Sequence, residues 1–60
     1  MTFAEFEARE HNRRVQHFVR FARAGNAPSL ANAIEIFGFV AEHAKPIVED
    51  ALRILATDRR

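Results

Sequence analysis

Cysteine, tryptophan and tyrosine are absent from this sixty-residue chain, and glycine and proline occur only twice each. A chain this short buries only about 60% of the surface its unfolded form exposes, which leaves a lone monomer marginal. Small secreted domains offset that deficit with disulfides, and zinc modules offset it with thiolate ligands. Without cysteine neither route is open, so helix packing, completed by a second copy or a partner, is what remains. Bulk charge of one sign is lacking as well. Nine Lys and Arg against eight Asp and Glu give a net charge of +1, too balanced to indicate nucleic acid or membrane by charge alone. Long apolar runs are missing: the longest, Ile36 to Ala41 counting Gly38, is far short of the roughly 20 residues that span a bilayer. The start, Thr2-Phe3-Ala4-Glu5-Phe6-Glu7, is acidic where a secretory signal is basic. These absences predict a soluble cytoplasmic protein with no membrane segment and a single domain over residues 1–60.

What is present is apolar but small. Hydrophobic residues make up 48% of the chain, yet alanine supplies eleven of them. All but one of the nine cations are arginine, Lys45 being the exception. Alanine richness with arginine in place of lysine is the usage of high-GC bacterial, phage or plasmid genes.

The periodicity predicts an all-α fold with three helical segments, at about 2–24, 29–44 and 46–57, and a frayed tail over 58–60. Thr2-Phe3-Ala4-Glu5 is a capping-box pattern, and Gly25-Asn26 is a left-handed helix stop. Between them Ala4, Ala8, His11, Val15, Phe18, Val19 and Ala22 share one face, with Phe3 and Phe21 at its edge. In the second segment Leu30, Ala33, Ile34, Ile36, Phe37, Val40, Ala41 and Ala44 form a wide apolar arc, the mark of a central helix. Ala31 and Gly38 add a strip with almost no side chain, suited to close helix packing. Pro46 forces either a kink or a restart, after which Ile47, Val48, Ala51, Leu52, Ile54 and Leu55 lie on one face. Two architectures fit, a helical hairpin with a Pro-kinked second arm and a three-helix bundle. An arc too wide for one chain to cover favours a dimer.

The most regular polar pattern is an arginine stripe, Arg9, Arg13, Arg20 and Arg23, along the outer face of the first helix. Arginine forks match phosphate and carboxylate oxygens in pairs, so such a stripe suits an acidic protein groove or a nucleic-acid backbone. The plain alternative is a solvated face with local pairing, Glu5 to Arg9 and Glu10 to Arg13 and Arg14. Phe6 and Phe39 fall off the apolar arcs and Phe3 stands at an edge, and all three are candidate anchors of a subunit or partner interface. Phe18, Phe21 and Phe37 read as core. His11 lies on the apolar face with Glu7 one turn before it, a candidate buried polar pair. No further ligand stands at a recognised spacing, so no metal is expected. The hydroxyls, Thr2, Ser29 and Thr57, sit at helix ends where capping explains them. With no Gly-rich phosphate loop and no nucleophile constellation, no enzyme and no cofactor are expected.

These features predict a small helical protein that binds another protein's surface, as a regulator or inhibitor and as a homodimer. The alternative is a nucleic-acid-binding regulator that contacts phosphates through the arginine stripe.

Overall fold

The computed structural model describes residues 2–57, and the expected tail at 58–60 lies outside them. Three helices follow in order: α1 over Phe3–Arg23, α2 over Leu30–Phe37 and α3 over Ala41–Thr57. No strand occurs among the described residues.

Helix α1 begins where the sequence signals it. The Thr2 hydroxyl accepts a hydrogen bond from the Glu5 amide at 3.2 Å, satisfying one of the donors a helix start leaves unpaired. At the other end Gly25 takes φ +100° and its amide donates to the Ala22 carbonyl at 3.0 Å. The connecting loop is tied by two side-chain amides. Asn26 donates to the Phe21 carbonyl at 3.0 Å and Asn32 to the Ala27 carbonyl at 2.8 Å. Ser29 caps α2 by accepting from the Asn32 amide at 3.2 Å.

The expected boundary between the second and third helices is corrected. The break falls at Gly38, not at Pro46. Gly38 adopts φ +67° and ψ 20°, and its amide donates to the Ile34 carbonyl at 2.8 Å, closing α2 after eight residues. A left-handed cap of this kind favours glycine because a Cβ strains the backbone there. Phe39 and Val40 then form the connector, and the Val40 carbonyl accepts from the amides of His43 and Ala44 as α3 starts. Pro46 lies inside α3. It removes the single donor that would have met the Glu42 carbonyl, a loss one turn from the helix start that the helix absorbs.

The early break also moves the centre of the molecule. Helix α2 is only about 12 Å long, so the wide arc expected of a sixteen-residue segment is divided among α2, its connector and the start of α3. The central element is α3, which packs against both other helices. The core comprises Val15, Phe18 and Val19 of α1, Ala33 of α2, and Ala44, Ile47, Val48 and Ala51 of α3. Phe21, Ile34, Ile36, Phe37, Phe39, Ile54 and Leu55 pack around it. The rings of Phe18 and Phe37 meet at 6.2 Å and join α1 to the end of α2, while Phe18 stacks on Phe21 at 5.6 Å.

Helix α1 reaches past this core. Every residue from Phe3 to Arg9 is exposed, Ala4 and Ala8 of the predicted apolar face included. The first buried side chain along α1 is Val15.

Candidate interaction surface

The surface of α1 carries most of the residues singled out by the sequence. Arg9, Arg13, Arg20 and Arg23 are all exposed, on the side away from Val15, Phe18 and Val19. Glu10 stands 4.0 Å from both Arg13 and Arg14, a separation at which exposed pairs contribute little. Among the described residues neither Arg9 nor Arg20 stands in an ion pair. Arg9, Arg13 and Arg20 therefore stand as forks at helical spacing with weak local pairing.

Of the three candidate aromatic anchors, two stand clear of the core. Phe3 is 75% exposed and Phe6 51%. With Glu7, Glu10, His11 and Arg14 they line an open groove of about 430 Å³ along the first half of α1. Phe39 is different: it is half-buried and engaged within the chain. Its ring stacks on Phe37 at 6.0 Å, meets His43 edge-on at 6.3 Å, and lies under the Arg14 guanidinium, 4.9 Å from the ring centre. The cause is the break at Gly38, which takes Phe39 out of a helix and turns it back onto α1.

The pairing of Ala31 with Gly38 does not form a close-packing strip in the chain. Ala31 is exposed, and Gly38 is a helix terminus around which an added Cβ would meet nothing within 4 Å. Glycine serves backbone conformation there, not close approach.

His11 does not pair with Glu7, which is exposed. Half-buried, it donates from Nε2 to Asp50 Oδ2 at 2.6 Å, tying α1 to α3. Arg53 approaches the other oxygen of the same carboxylate at 3.2 Å. The hydrogen bond from His11, helped by the Arg53 charge, holds the Asp50 carboxyl below its ordinary value of 3.8. This contact was not legible in advance, because it joins positions thirty-nine residues apart with no local pattern linking them. His17 and His43 lie at the surface as expected.

Exposed apolar groups also occur at Leu30, Val40 and Leu52. Helical periodicity places Leu52 on the packed face of the third helix, but it is 45% exposed. It sits at the edge of that face and, with Pro28, Leu55 and Ala56, lines an open cleft of about 300 Å³. Among the described residues no group of three or more His, Asp or Glu is placed to hold a metal ion, and no helix is long and apolar enough to cross a membrane. No family model matches the chain, and no curated protein or solved structure matches it.

Proposed function

We propose that this chain is a small non-enzymatic protein-binding regulator or inhibitor that acts as a homodimer by occupying a partner protein's surface. The observation that supports this reading is the uncovered first half of α1. Two phenylalanines stand out of it beside a row of exposed arginines, in a helix whose second half is firmly packed. Aromatic and arginine side chains are the groups that most often dominate the energy of protein interfaces. Exposed helix faces of this kind dock into grooves of partner proteins. An acidic groove is the complementary surface, since the forks pair with carboxylates two bonds at a time.

The alternative, phosphate contact by Arg9, Arg13, Arg20 and Arg23, makes a different demand on salt. Binding to nucleic acid loses affinity steeply as ionic strength rises and persists on unrelated sequences. The test is affinity capture from the native host, followed by reconstitution with each captured protein in purified form. The expected result is one protein that binds the natural chain and loses affinity for the Phe3→Asp/Phe6→Asp and Arg9→Glu/Arg20→Glu variants. Binding confined to nucleic acid, with a steep salt dependence, would contradict the reading.

A further inference from the structure

We draw no further inference here: the strongest candidate, the open apolar cleft that Pro28, Leu52, Leu55 and Ala56 line between the α1–α2 loop and the end of α3, carries nothing because nothing in the structure shows what covers it.

Discussion

Asp50 carries a contact between helices whose strength depends on acid. Its carboxylate accepts from His11 and lies beside Arg53, which lowers its pKa from 3.8. A lowered native value means the unfolded chain binds this proton more readily, so the contribution is fully present well above the unfolded value of 3.8 and is lost as pH falls through the lower native value. Asp50→Asn is therefore expected to be less stable than the natural chain at neutral pH, with the difference closing as pH falls below the ordinary carboxylate range; urea titrations at neutral and at strongly acidic pH check it. Gly38 is a second residue with a single decisive property. Its positive φ is a backbone demand, and no neighbour stands where a Cβ would go. Gly38→Ala should cost about 1–2 kcal/mol from the left-handed conformation alone, measurable as a shifted denaturation midpoint with unchanged slope. Neither property has a local signature. A glycine in an apolar run resembles a small-residue packing strip until its dihedral is known, and nothing around His11 indicates a carboxylate on another helix.

Among the elements, α1 was the most legible. Its expected limits differ from the observed Phe3–Arg23 by one residue at each end, because Thr2 and Gly25 act within one turn of the ends they set. The boundary between α2 and α3 was misplaced for an equally physical reason. Proline is the stronger breaker in isolation, but Pro46 falls one turn into a helix, where its missing amide costs one bond, whereas Gly38 ends its helix outright. Pro46 is exposed, so replacing it opens no cavity. Pro46→Ala is expected to raise stability by about 1 kcal/mol through the regained bond to the Glu42 carbonyl, and thermal melts would register it. Ser29→Ala should act in the opposite sense, costing about 1 kcal/mol through the lost cap on a helix of only eight residues.

At the scale of the whole molecule the balance is narrow. Phe18 is completely buried where α1 and the end of α2 meet. Truncating a buried phenylalanine costs about 3–5 kcal/mol, comparable to the few kcal/mol that a core of this size supplies. Phe18→Ala is therefore expected to abolish the cooperative thermal transition. The arginine row and the exposure of Phe3 and Phe6 could be read from helical periodicity alone. That α1 outreaches the core, leaving its first two turns uncovered, required knowing that α3 is the central helix. Seven successive helical residues with no covering surface hold few contacts against fraying. The proposed function makes that end of α1 the surface that a partner protein covers. Amide hydrogen exchange of residues 3–9, followed as the chain is concentrated and as a captured partner is added, tests this most directly. These amides are expected to exchange rapidly in dilute solution and to slow markedly on association. Rapid exchange that persists at every concentration, and in the presence of a bound partner, would contradict it.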